Sequence, residues 1–326
     1  MAERLTPERL AQAAVWYYVH DLSQDRVAKR LGTSRSNVSR MLRAAREQGI
    51  IRFEITYPTR RDLATEQVLQ AELADYGVRE VVVAADRTED ATGSEYSSVL
   101  GVGRAASEWL DANLSDGTTV GMFWGSTVRA MVDVAHFDRH HDVQVIQLAG
   151  EWSDIPKQSG HELVRDFAGK LGGRYSYFSA PAFTKTAAET DALLAQPSVA
   201  AALERARSTD MCIVGVGSFG FATTKVFLDQ AGASAAEVQE ATDAGVVGQL
   251  AGRFFDRHGS QVELALHRRL VSLDLPEVRQ AETILVLCAG QEKAEAVLGA
   301  ARGNLVDVLV CDQALARALR AALARA

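Results

Sequence analysis

Residues 282–312 read ETILVLCAGQEKAEAVLGAARGNLVDVLVCD. Two apolar runs, 282–290 and 306–312, flank an amphipathic stretch at 291–301. Apolar runs of this length, bounded by turn residues and joined by a helical pattern, are the signature of buried parallel strands linked by a crossover helix. The same alternation extends back through the chain. Strands are predicted at VREVVVAA (78–85), TTVGMFW (118–124), VQVIQLAG (143–150) and MCIVGVG (211–217), with helices at 94–113, 126–135 and 160–171. The expected fold class is therefore α/β, a doubly wound parallel sheet over residues 58–326. Such sheets hold ligands beyond the carboxyl ends of their strands.

Three loops at those ends carry anion-binding chemistry. Gly125-Ser126-Thr127 follows the strand at 118–124 and opens a helix, where free N–H groups, hydroxyls and the helix dipole favour negative charge. Gly290-Gln291-Glu292-Lys293 follows the strand at 282–290 and adds a point positive charge. Gly215-Val216-Gly217-Ser218-Phe219-Gly220 follows the strand at 211–216. Taken singly, each is also an ordinary strand-to-helix turn. The third matches G-x-G-x-x-G, but a dinucleotide site needs an acidic residue about 20 positions on, at the end of the next strand. Asp229 comes too early and lies in a helical pattern, so no nicotinamide or flavin cofactor is expected.

The 326 residues are 47% hydrophobic and 24% charged, enough for a sizeable core in two domains. No run approaches the roughly 18 apolar residues of a membrane span, and the start MAERLTPERL has no apolar signal core. Cys212, Cys288 and Cys311 sit in strand-like runs without metal-ligand spacing, and reduced thiols in a cytoplasmic protein are expected. His136, His140 and His141 form no metal constellation. The net charge of −7 is unevenly spread: residues 1–61 hold 12 basic and 6 acidic residues, and the rest hold 23 and 36. A basic head on an acidic body attracts a polyanion at one end only.

That head, residues 1–57, reads as three helices. Thr6-Pro7 opens a helix over 7–20 with an apolar stripe of Leu10, Ala14, Tyr17 and Tyr18. Ser23 caps a second, with Val27, Ala28 and Leu31 inward, and Gly32 ends it. Ser34 starts a third, with Val38, Met41, Leu42 and Ala45 inward and Gly49 as its stop. Two short helices about a glycine turn make a helix-turn-helix, whose second helix meets DNA with its N-terminal residues. Its outward residues here are Arg35, Ser36, Asn37, Ser39, Arg40 and Arg43. Arginine reads guanine, asparagine reads adenine, and serine holds phosphate. IIRFEITY (50–57) is expected to form a wing or link, with the boundary at Pro58. Useful specificity from so short a helix calls for two heads, hence a homo-oligomer on double-stranded operator DNA.

In order along the chain, VGMFWGSTV, GKLGGRYSYFSAPAF, TDMCIVGVGSFG, AGVVGQLAGRFFD and CAGQEKAEAVLGAARGNLVDVLVCD resemble the SorC family of sugar-responsive transcriptional regulators. The resemblance covers nearly the whole chain, and GRFFD with the later AGxxKAxAV pattern is its specific part. It implies a DNA-binding head on an effector domain related to sugar-phosphate isomerases and deaminases, a phosphorylated sugar or polyol as effector, a dimer or tetramer, and a repressor. It also places Gly125, Ser126 and Thr127 at the effector phosphate, with Gly217, Gly290 and Lys293 in the pocket. Two departures stand out. Gln249 occupies a position usually acidic in the family, and Gln147-Leu148-Ala149-Gly150-Glu151 lacks the lysine that forms an imine in some members, which points to non-covalent binding. The alternative is a sugar-phosphate isomerase or deaminase using Glu151, Asp154, His161 or Asp256 as acid and base. Catalysis leaves the basic head without a purpose.

Overall fold

The computed structural model describes residues 6–51, 60–85, 95–152 and 159–325; the side chains of 95–97, 222 and 223 are not described. The chain divides into two compact units, Met1–Pro58 and Thr59–Ala326. Most of the expected wing at 50–57 and the candidate acid Asp154 lie outside the described residues.

In the smaller unit, Thr6 Oγ1 accepts from Arg9 N and Pro7 begins the helix Pro7–Ala14. Beyond Ala14 the helix widens into a π turn over Val15–Val19, closed by His20 N donating to Val15 O at 3.0 Å. The wider turn rotates the side chains away from the 3.6-residue stripe. Trp16 and Tyr17 therefore lean on the core, whereas Tyr18, expected inside, is 37% exposed. Helices Gln24–Leu31 and Arg35–Glu47 follow, each with its predicted serine cap, joined through left-handed Gly32. Leu10, Ala13, Val27, Val38, Met41, Leu42 and Ala45 close the core between the three.

The described residues of the larger unit form ten strands. β1 (Glu80–Ala84), β2 (Thr119–Met122), β3 (Gln144–Gln147), β4 (Arg174–Ser176), β5 (Met211–Val214), β9 (Thr283–Cys288) and β10 (Val308–Asp312) form one sheet. Its order is β1-β10-β9-β5-β2-β3-β4, and every pairing is parallel. β9 and β10 bury nearly every residue, as strands covered on both faces must. The α/β expectation holds, with two additions. β4 is a three-residue edge strand, largely exposed and without an apolar signature. The run 211–217 is not one strand: it breaks at Gly215, and the chain leaves the sheet.

After that break, β6 (Val216–Ser218), β7 (Val246–Leu250) and β8 (Arg253–Asp256) form a separate antiparallel sheet. β7 and β8 join through two residues with positive φ, Ala251 (52°) and Gly252 (80°), the backbone that a tight hairpin requires. Arg253 is buried. Its guanidinium donates to the carbonyls of His267, Ser272 and Leu273 and pairs with Asp274 at 3.0 Å. This hydrogen bonding, which a buried charge needs, ties the small sheet to the segment leading into β9.

Candidate functional site

The strand order locates a crevice. From β2 the chain moves to β3 and β4 on one side, and from β5 it moves to β9 and β10 on the other. β2 and β5 are neighbours, so their carboxyl ends flank the topological switch point, where open α/β sheets bind ligands. A cavity of about 150 Å3 lies there, small beside the several-hundred-Å3 pockets of drug-sized ligands. Phe123–Thr127 line it from the β2 end and Gly215–Gly217 from the β5 end, with Gln249 of β7, Lys293, Trp152 and Phe227 completing the wall.

Of the sequence-predicted effector residues, Gly125, Ser126, Thr127, Gly217, Gln249 and Lys293 meet at this cavity. Gly290 does not. Its N–H donates to the Asp312 carboxylate (3.2 Å), and its φ of 103° shapes the turn that carries Lys293 inward.

Each lining group has a definable role. The helix Ser126–Val134 starts at Gly125 without a side-chain cap, leaving its first N–H groups open to an acceptor. Lys293 is 8% exposed and makes no side-chain hydrogen bond or ion pair among the described residues. It sits where the helix Ala294–Arg302 begins, so the helix dipole opposes its charge. An unpaired ammonium on an enclosed cavity gains a strong hydrogen bond when something anionic joins it. Its field also acts on the Cys288 thiol, which burial pushes up and Lys293 pulls part of the way back. Burial likewise raises Cys212 to about 11, so that thiol stays protonated.

Gln249 has a fixed orientation. Its Oε1 accepts from Gly252 N at 3.1 Å, which leaves Nε2 as the group offered to the cavity. Gly217 makes room for it, because a Cβ there would lie 2.5 Å from Gln249 Nε2 and 3.0 Å from Thr224 Oγ1.

Sequence reasoning missed the aromatic wall. Trp124 and Trp152 pack edge to face with centroids 3.8 Å apart, and Phe227 packs on both. Both indole Nε1 groups are buried without an acceptor. In the sequence these residues are indistinguishable from core aromatics.

The described acid–base candidates, Glu151, His161 and Asp256, do not line the cavity. Glu151 Oε2 accepts from His161 N at 3.0 Å, the His161 ring stacks on Tyr177, and Asp256 Oδ1 accepts from the backbone of His258 and Ser260. His141 is buried and bonded to Asp111 at 3.2 Å. No cluster of three or more potential metal ligands occurs among the described residues.

On the smaller unit, Arg35, Ser36, Ser39, Arg40 and Arg43 are exposed along the helix Arg35–Glu47, and Asn37 is half-buried. Asn37 Nδ2 donates to Thr33 Oγ1 at 2.7 Å, and Arg40 donates to Asn37 Oδ1. Arg35, Arg40 and Arg43 give the exposed side of this helix a basic character, with Glu47 its one acidic residue.

Comparison with known proteins agrees with this architecture. The family described as "putative sugar-binding domain" matches residues 58–320. The transcriptional regulator LsrR of Enterobacter sp. (strain 638) is 29% identical, covering 97% of this chain and 94% of that protein. The sorbitol operon regulator of Klebsiella pneumoniae is 28% identical, covering 95% and 96%. The crystal structure of full-length SorC from K. pneumoniae superposes with a TM-score of 0.71 at 25% identity, covering 96% of this chain and 98% of that one. With the sugar-binding domain spanning most of its length and the likeness to these regulators running end to end, the chain belongs to the SorC family.

Proposed function

We propose that this protein is a transcriptional regulator whose head, residues 1–57, binds operator DNA and whose body, residues 58–326, senses a phosphorylated sugar or polyol without forming a covalent bond to it. The observation that carries the effector assignment is Lys293, a largely buried side chain whose ammonium has no partner among the described residues, on a cavity that also holds an uncapped helix start. A phosphate dianion satisfies both at once. Gly125, Ser126 and Thr127 hold it from one side and Lys293 from another, and Gln249 and Gly217 face the carbon chain. Binding rather than turnover is favoured because the described lining offers no carboxylate or imidazole to act as general base.

Arg35, Arg40 and Arg43 supply the electrostatic contact to DNA, with Ser36, Asn37 and Ser39 at base edges or phosphates. Asn37 is held by Thr33 and Arg40, so reading a base requires that local pair to open. The body supplies the contacts of a dimer or tetramer in the cytoplasm, and effector binding releases the repressor from its operator. Release requires that the effector prefer the DNA-incompetent arrangement, since equal affinity shifts nothing.

The test is an operator mobility shift titrated with phosphorylated sugars and polyols, run beside thermal melting. A ligand at 100 times its dissociation constant adds about 2.7 kcal/mol to the folded state. If such compounds neither stabilise the protein nor change DNA affinity, the assignment fails.

A further inference from the structure

The size of the cavity limits what can follow the phosphate. A volume of about 150 Å3 is that of cavities which admit a benzene-sized guest, roughly six non-hydrogen atoms. The phosphate assigned above takes most of that room, at Lys293 and the helix start of Gly125–Thr127. What remains suits a short carbon chain. Phe227 and Val226, both on the helix Ala222–Gln230, bound it. Phe227 is buried and packs on Trp152, Phe183 and Phe254, so that wall is closed. Val226 lines the cavity yet is 44% exposed, which puts it at the mouth.

The chemistry of the wall works in the same direction. Beyond the phosphate subsite, Trp152, Val216, Val226, Phe227 and Leu287 face the cavity, and Gln249 is the polar side chain among them. The Trp124 and Trp152 Nε1 atoms are buried, so the indoles present ring carbon. Gln249 Oε1 is held by the Gly252 N–H. Its Nε2 and the backbone of the Gly215–Gly217 turn are left to serve the chain. A hydroxyl moved from water against apolar groups without a new partner is costly. Each further hydroxylated carbon therefore adds bulk and an unmatched polar group together.

We infer that the effector is a three- or four-carbon phosphate, a triose or tetrose phosphate or the corresponding polyol phosphate, and that Val226 sets the length limit that shuts out pentose and hexose phosphates. The inference rests on the phosphate assignment above and adds the length of the chain behind it.

The experiment uses the full-length protein and calorimetry with a ladder of compounds that share a terminal phosphate. The short rungs are dihydroxyacetone phosphate, glycerol 3-phosphate, erythrose 4-phosphate and erythritol 4-phosphate. The long rungs are ribose 5-phosphate, glucose 6-phosphate and glucitol 6-phosphate. Inorganic phosphate reports the phosphate subsite alone. At least one short compound should bind about tenfold or more tighter than every long one, the scale on which an apolar pocket discriminates by a single methylene. Val226→Ala removes two methyl groups at the mouth, and alanine suits an exposed helix position. It should raise the affinity of the long compounds about tenfold and shrink the gap, with thermal melting as the check on folding.

A panel in which phosphorylated compounds or inorganic phosphate bind, but no short compound outbinds the long ones, overturns the length limit and spares the phosphate site. No binding by any of them overturns both. A gap unchanged in a folded Val226→Ala variant overturns Val226 as its source.

Discussion

Replacing Lys293 with methionine should move stability in opposite directions with and without ligand. In the free protein the Lys293 side chain is largely buried, its ammonium has no partner among the described residues, and it sits at the start of the helix Ala294–Arg302. Removing a cation from a helix start relieves about 0.3–1 kcal/mol, and methionine retains the apolar stem's packing at similar volume. A net gain of up to about 1 kcal/mol is expected, a rise in Tm of up to roughly 2–4 °C for a unit of this size. With a phosphorylated effector, the lost charge-assisted bonds cost about 1.5–3 kcal/mol, or roughly 10- to 150-fold in Kd. At a ligand concentration 100 times the wild-type Kd, the wild type gains about 2.7 kcal/mol; a variant weakened 100-fold gains only about 0.4 kcal/mol. The melting curves should therefore cross, the variant above the wild type when free and below it when liganded. A variant that melts lower without ligand and keeps the full ligand shift would show that Lys293 is structural and refute the phosphate assignment.

Gly217→Ala should cost about 1 kcal/mol of stability, because the added methyl meets Gln249 Nε2 and the buried Thr224 Oγ1 and pushes the amide off the Gly252 N–H, and calorimetry should show effector affinity reduced about tenfold or more. On the head, Arg40→Ala should weaken specific operator binding by about 1–3 kcal/mol in a mobility shift, whereas Arg43→Ala should weaken all sequences alike and flatten the salt dependence. Burial, with the neighbouring Arg253 charge, lowers His267 from 6.5 to about 3, so the unfolded chain takes up this proton first. Its stabilising contribution is complete above pH 6.5 and declines as the pH falls toward 3, by on the order of 4 kcal/mol in total. Acid melts of His267→Gln, which can still accept from Phe254 N, should show a flatter slope over that range. A fragment beginning at Asp62 should fold, remain oligomeric by light scattering and bind effector without binding DNA.

The parallel sheet was legible where strands are buried on both faces and helices carry their own punctuation. Ser159 and Gly172 bracket the helix Gly160–Leu171 at the predicted residues. The misjudged segments lack such signals. β4 is short and exposed. The apolar run at 211–217 continues across Gly215, so nothing in its pattern marks where one sheet ends and another begins. β7 alternates buried and half-buried residues in a glycine-rich stretch. The cavity follows the same division. Glycine, hydroxyl and lysine at helix starts have recognisable chemistry, but the opposite wall of Trp124, Trp152 and Phe227 depends on long-range packing. Gly290 looked like a lining residue because it shares a turn with Lys293, and only the fold separates the residue that shapes the turn from the one that points inward.

The pairing of β1 with β10 bears on how the chain is made. β1 ends at Ala84; one edge bridges to Arg61, and along the other its parallel neighbour β10 begins at Val308. During synthesis this edge has no partner until almost the entire body has been translated. The head has no such wait, since its core joins residues near one another in the chain. At about 5–20 residues per second, the head is complete for roughly 10–50 s before the body can close. For that interval each nascent chain presents a finished basic module tethered to an open, acidic, strand-rich polypeptide.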